Sequence, residues 1–126
     1  MKLSFWSAAF LAASVVGAHA ACPERAPRVG WNTQSGDARV SAEFLAQNLA
    51  GKRVGFSGGG TEHYRGNGSY RFSAGGQTFR ADGYKFYENG VRCIGYAPPR
   101  FDLYVVNNGK LILVNEQGGR FEAKIR

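Results

Sequence analysis

The stretch Tyr70-Arg71-Phe72-Ser73-Ala74-Gly75-Gly76-Gln77-Thr78-Phe79-Arg80-Ala81-Asp82-Gly83-Tyr84-Lys85-Phe86-Tyr87-Glu88-Asn89-Gly90 decides the fold. Aromatic and charged residues alternate with a period of two, and Gly75-Gly76, Asp82-Gly83 and Asn89-Gly90 interrupt them as hairpin turns. Alternation in a strand sends successive side chains to opposite faces. Tyr70, Phe72, Phe79, Tyr84 and Phe86 are therefore expected to point inward, and Arg71, Arg80 and Lys85 outward.

The same grammar runs in both directions from this stretch. Gly58-Gly59-Gly60, Gly66-Asn67-Gly68, Asn108-Gly109 and Gly118-Gly119 are further turn signals. Between the turns the pattern predicts strands over 53–57, 61–65, 69–74, 77–81, 84–88, 91–96, 101–106, 110–115 and 120–125. The expected class is all-β, an antiparallel meander forming a small barrel or sandwich with one short N-terminal helix packed on it. Strands this short, with aromatics at the inward positions, predict a barrel filled by side chains rather than one enclosing a ligand cavity. The helix is expected over 42–50: Ser41 is an N-cap, Val40 and Leu45 form a hydrophobic staple, and Gly51 is the C-terminal stop. Phe101–Val106 and Leu111–Val114 are apolar on both faces, and the helix is the expected lid over their outer side.

N-terminal to the helix, residues 21–40 carry Pro23, Pro27 and Gly30 and read as an irregular arm, with Trp31 plugging an apolar surface. Residues 1–20 read as a secretory signal peptide: a basic start at Lys2, an apolar run from Phe5 to Gly17, and Ala18-His19-Ala20 as the cleavage site. The domain expected after the arm spans 41–126. Cys22 lacks the Leu that precedes a lipidated cysteine, so the chain is read as periplasmic or secreted, with no transmembrane span. In an oxidising compartment Cys22 and Cys93 are expected to form one structural disulfide, since their wide separation is unlike a redox C-x-x-C pair.

Loss of Lys2 with the signal lowers the formal charge from +7 to +6, and a basic surface favours anionic partners. Alternation groups Arg65, Arg71, Arg80, Lys85 and Arg92 on exposed sides of successive strands, with Tyr87 beside Lys85. Guanidinium forks on a rigid sheet suit phosphate or carboxylate groups. The expected partner is therefore an anionic envelope polymer or lipid headgroup, and nothing in the chain is a nucleic-acid signature. The alternative is an envelope protein bound in an inhibitor-like or immunity-like manner, through a stiff loop presenting Tyr96, Pro98, Pro99 and Arg100.

Catalytic chemistry finds little to stand on. His63 is the one histidine after the signal, without ligands at useful spacing, so neither a metal site nor a Ser-His-Asp arrangement is expected. Glu62, Asp82, Glu88, Asp102, Glu116 and Glu122 alternate with apolar strand residues or fall in turns, where solvated carboxylates are expected, and Asp102 could pair with Arg100. Gly58-Gly59-Gly60 lacks the following helix start and Lys-Ser/Thr of a phosphate loop. No catalytic residue, metal or cofactor is assigned.

From Leu49-Ala50-Gly51-Lys52 through the hairpins to Gly90-Val91-Arg92-Cys93, the chain resembles small exported β-domain proteins of Gram-negative bacteria with no characterised function. It is also similar in style to bacterial lysozyme-inhibitor domains, which are exported, small, β-rich and disulfide-bonded. The partner of those domains is usually basic, whereas this chain is itself basic. The first resemblance implies an exported β-domain and transfers no catalytic residues.

Overall fold

The computed structural model describes residues 21–126; residues 1–20, read from the sequence as a signal peptide cleaved after Ala20, lie outside the described residues. The elements are β1 (Ala38–Arg39), α1 (Ala42–Leu49), β2 (Arg53–Phe56), β3 (Thr61–Tyr64), β4 (Tyr70–Ala74), β5 (Gln77–Ala81), β6 (Tyr84–Phe86), β7 (Val91–Ile94), β8 (Arg100–Asn107), β9 (Lys110–Asn115) and β10 (Arg120–Ile125). They form one antiparallel, nearly closed barrel-shaped sheet in the order β5-β4-β3-β2-β10-β9-β8-β7-β6. The all-β barrel with one short helix is thus the architecture. Strand β1, inside the expected irregular arm, adds to β8 beyond the reach of β7, pairing Ala38 with Val106 and Arg39 with Val105.

Strands β5, β9 and β10 have the expected bounds, β8 is longer by a residue at each end, and β2, β3, β4, β6 and β7 are shorter than the sequence reading. After β6 a single 3-10 turn at Glu88–Gly90 replaces the expected continuation, with Asn89 and Gly90 both at positive φ. A side chain at Gly90 would place its Cβ 2.4 Å from the Tyr104 carbonyl oxygen, so this turn is locked to glycine by close approach as well as by φ.

Ser41 caps α1 by accepting from the Phe44 N–H at 3.0 Å. Leu45 and Leu49 are fully buried together with Val40, Val54, Tyr64, Tyr104 and Leu113, the inward-facing set of the barrel. Burying each leucine is worth about 2 kcal/mol. The helix therefore fills one end of the barrel interior, and the expectation that it covers the outer face of Phe101–Val106 and Leu111–Val114 is corrected. That face, with Leu103, Val105, Val114, Val91, Cys93 and Tyr87, is covered instead by Cys22, Ala26 and Trp31 of the N-terminal arm.

The arm is held at several points. The Cys22–Cys93 disulfide joins it to β7, with Cα atoms 5.8 Å apart and the two cysteines 71 positions apart in sequence. Tyr87 donates to Pro23 O at 2.5 Å, and Lys85 donates to Glu24 O at 3.2 Å. Asp37 accepts both guanidinium ends of Arg120 at 2.8 and 2.9 Å and the Asn107 amide at 2.7 Å, while Asn32 Nδ2 donates to Gly118 O. Arg120 holds the Asp37 carboxyl well below the usual carboxylate range, against the opposing effect of burial. No described helix is long and apolar enough to cross a membrane.

Candidate functional site

Two polar arrangements emerge from this frame, one inside the barrel and one on its outer surface. The inner one starts from alternation. Glu62 and Tyr64 share the inward face of β3, Arg92 that of β7, Asp102 and Tyr104 that of β8, and Tyr70 that of β4. Glu62, Arg92 and Asp102 have at most 2% of their surface exposed. Glu62 accepts hydroxyl hydrogen bonds from Tyr64, Tyr70 and Tyr104, each at 2.5 Å, and pairs with Arg92 Nη1. Arg92 Nη1 also donates to the Tyr64 hydroxyl at 2.7 Å, and Nη2 pairs with Asp102. Asp102 is completed by Arg100, whose Nε and Nη2 donate at 2.9 and 3.0 Å.

The cluster thus balances two carboxylates with two guanidiniums. Burial pushes the Tyr64, Tyr70 and Tyr104 hydroxyls well above their ordinary range, so all three stay protonated and keep donating to Glu62. Burial works to lower the Arg92 value, but Glu62, Tyr64 and Asp102 outweigh it and raise it well above normal. One atom stands outside this accounting: Arg92 Nε is buried and has no hydrogen-bond partner.

Beside this cluster, at the end of the barrel away from α1, a pocket of about 460 Å³ is lined by Glu62 and Arg92 together with Phe56, Tyr70, Phe72, Phe79, Tyr96, Leu113 and Phe121. Gly58, Gly59 and Arg100 complete its exposed rim, with Asn115 alongside. The expectation of a solidly filled barrel is corrected. The aromatics do point inward, but β2, β4 and β10 carry them to one end, where no helix follows to fill the space. Phe79 sits opposite Phe72 as expected of an inward residue, yet is 48% exposed because β5 ends the sheet.

The outer arrangement is set by strand register. Arg80 on β5 lies opposite Arg71 on β4, Arg71 opposite His63 on β3, and His63 opposite Arg53 on β2. The row continues to Arg126, whose N–H donates to Arg53 O at 2.8 Å and whose guanidinium lies over Gly55. None of these cations has a carboxylate partner among the described residues, and Arg71 Nε is buried without one. Desolvation first, then Arg53, Arg65 and Arg71, lower the His63 pKa, which marks the neighbourhood as electropositive.

Against this geometry the sequence-derived set divides. Arg71 and Arg80 are direct cross-strand neighbours on the outer face, and Arg65 acts on the same histidine. Arg92 is corrected from an exposed position to the buried centre of the barrel. Lys85 and Tyr87 do share a face, the ammonium 5.2 Å from the ring centroid, but both bind the arm and Tyr87 is buried. In the loop 96–100 the Ala97–Pro98 peptide is cis and Pro98 is exposed, while Tyr96 packs edge-on against Tyr70 and Arg100 is tied to Asp102. Glu62, expected in solvent, is buried. Arg53, His63 and Arg126 were missed as members of the row.

Among the described residues no group of three or more His, Cys, Asp or Glu could hold a metal ion. Compared with known proteins, the chain matches no family model, and no curated protein or solved structure gives a match.

Proposed function

We propose that this is a non-enzymatic, exported binding protein whose outer basic row engages a linear anionic polymer of the cell envelope. The observation that carries this reading is the register of Arg80, Arg71, His63 and Arg53 on four adjacent strands. Arg71 and Arg80 are like charges directly opposite one another, which weakens a sheet, so this pair is costly unless a partner neutralises it. Adjacent strands are about 4.8 Å apart, so these four residues span about 14 Å across the strands, a track for a chain of repeating anionic groups rather than for one ion. The disulfide suits an oxidising compartment, in keeping with export and cleavage after Ala20 to the periplasm or beyond. The row is favoured over the 96–100 loop because Tyr96 and Arg100 already spend their polar and aromatic surface on Tyr70 and Asp102.

The test is a titration with inorganic polyphosphate as the probe, over a salt series. Three cationic contacts, from Arg53, Arg71 and Arg80, at about 0.7 released ions each predict an affinity falling roughly twentyfold between about 50 and about 200 mM salt. Replacing Arg53, Arg71 and Arg80 together with Gln should remove most of the binding and flatten the salt response. Equal binding by the triple variant, or salt-independent binding by the parent, refutes the reading.

A further inference from the structure

We infer that the open end of the barrel binds an apolar carboxylic acid in its ionised form, with the body among the phenylalanines and the carboxylate bridging Arg100 and Asn115 at the mouth. The pocket of about 460 Å³ falls within the range of small-molecule sites, and its walls are ring surface from Phe56, Phe72, Phe79 and Phe121. Such walls favour an apolar body, which removes the half-exposed Phe79 ring from water. The mouth selects the head group. Asp102 pairs with Asn115 across β8 and β9, so Arg100, two residues before Asp102, is the diagonal neighbour of Asn115 on the same face. Diagonal neighbours lie about 7–8 Å apart, within reach of a long side chain.

Each of these two residues has a side-chain donor left over. Arg100 gives Nε and Nη2 to Asp102, and its Nη1 donates to no described residue. Asn115 commits Oδ1 to the β9–β10 turn, accepting from the Gln117 and Gly119 N–H groups at 3.0 and 2.8 Å, which leaves Nδ2 without an acceptor among the described residues. Both donors are open to a ligand: the Arg100 side chain is half-exposed, and Asn115 Nδ2 keeps accessible surface. Gly119 keeps that space clear, since a Cβ there would lie 3.0 Å from both Nδ2 and the Phe121 ring. A carboxylate is acceptor only and brings two oxygens to two donors, whereas an amide brings one acceptor and a donor, and an ammonium meets only donors. Hydrogen bonds to an ionised group are also the stronger ones. Glu62, the carboxylate lining the pocket, lies at the floor, covered by three tyrosine hydroxyls and Arg92. Exposed Glu116 flanks Arg100 from a separate outer recess, where solvent screens it.

Three probes of similar shape separate the head groups: 2-naphthoate, 2-naphthamide and 2-naphthylmethylammonium, titrated by calorimetry into the disulfide-bonded protein. The naphthoate should bind roughly five- to tenfold more tightly than the amide, the margin of a charge-assisted over a neutral hydrogen bond, and the ammonium most weakly. In an NMR titration the Asn115 side-chain amide resonances should move with the naphthoate. Asn115→Asp keeps the acceptor that the turn uses and replaces the free donor by a negative oxygen. This variant should lose about tenfold or more in naphthoate affinity and gain affinity for the ammonium. Phe79→Ala, at a half-exposed wall position outside the buried cluster, should weaken naphthoate binding several-fold. Replacing Arg53, Arg71 and Arg80 together with Gln should leave naphthoate binding unchanged, which separates this site from the outer basic row. The proposal is overturned by an amide that binds as tightly as the naphthoate, by the ammonium binding most tightly, by an unmoved Asn115 amide, by parental naphthoate affinity in Asn115→Asp or Phe79→Ala, by loss of naphthoate binding in the triple variant, or by no binding of any probe.

Discussion

Replacing Arg92 by Met should be among the most damaging single changes available to this chain. The side chain is 2% exposed and holds two buried carboxylates, Glu62 at 1% and Asp102 at 0%. Breaking a buried ion pair from one side costs about 3–5 kcal/mol, because the surviving charge stays buried without its partner. The lower end, about 3 kcal/mol, applies here. Glu62 keeps three tyrosine hydroxyls at 2.5 Å and Asp102 keeps both bonds from Arg100. With a urea slope of about 1–1.5 kcal/mol/M, expected for a small domain, the midpoint of unfolding followed by far-UV circular dichroism should fall by about 2–3 M with unchanged slope. Adding Glu62→Gln removes the stranded charge while keeping an acceptor for the tyrosines, and should recover about 2 kcal/mol of the loss, a coupling that a double-mutant cycle reads directly. A midpoint shift below about 0.5 M, or a double variant as unstable as the sum of the two single ones, would show that the cluster is not held by charge balance.

Removing the disulfide with Cys22→Ser and Cys93→Ser should cost about 4 kcal/mol in the chain-entropy account of a 71-residue separation, and should expose Trp31, read as a red shift of its fluorescence; unchanged melting and emission would contradict this. Asp37→Asn should cost about 2 kcal/mol at neutral pH by weakening its bonds with Arg120. Because the folded pKa of Asp37 is depressed, its contribution is full above the unfolded value of 3.8 and is lost as pH falls. The stability gap between parent and variant should therefore close below about pH 4, and a gap that stays constant down to pH 2 would refute the assignment.

The hairpin turns, the strands and the capped helix were legible because each is a local code. Asn-Gly and Gly-Gly pairs fix turns, and Ser41 fixes a helix start. Arg71 and Arg80 were placed correctly because their strands alternate cleanly between aromatic and basic residues. Arg92 was not, since β7 is buried on both faces and charge alone suggested solvent. A usable signal was nevertheless present. Cys93 is tethered to the arm outside the barrel, so its neighbour Arg92 must face inward. Glu62 carried a similar sign, two residues from Tyr64 and therefore on the same strand face as an aromatic side chain. The basic row needed the pairing register, which brings Arg53 and His63 together with Arg71 across three strands and leaves no local trace. The pocket depended on which end of the barrel the helix enters, a long-range choice.

Strands β5 and β6 end the sheet on either side, and the Asp82-Gly83 turn connects them without a ladder of hydrogen bonds. Mechanically the molecule is a split ring. Every other pair of neighbouring strands along its circumference is stitched by backbone bonds, so any change of girth is taken up at that one slit. Dilation at that slit breaks no backbone bond between paired strands. Circumferential compliance is therefore concentrated beside the pocket, and on one side of the slit it meets a stiffened margin, because β7, one strand in from β6, is stapled to the arm by Cys22 and Cys93.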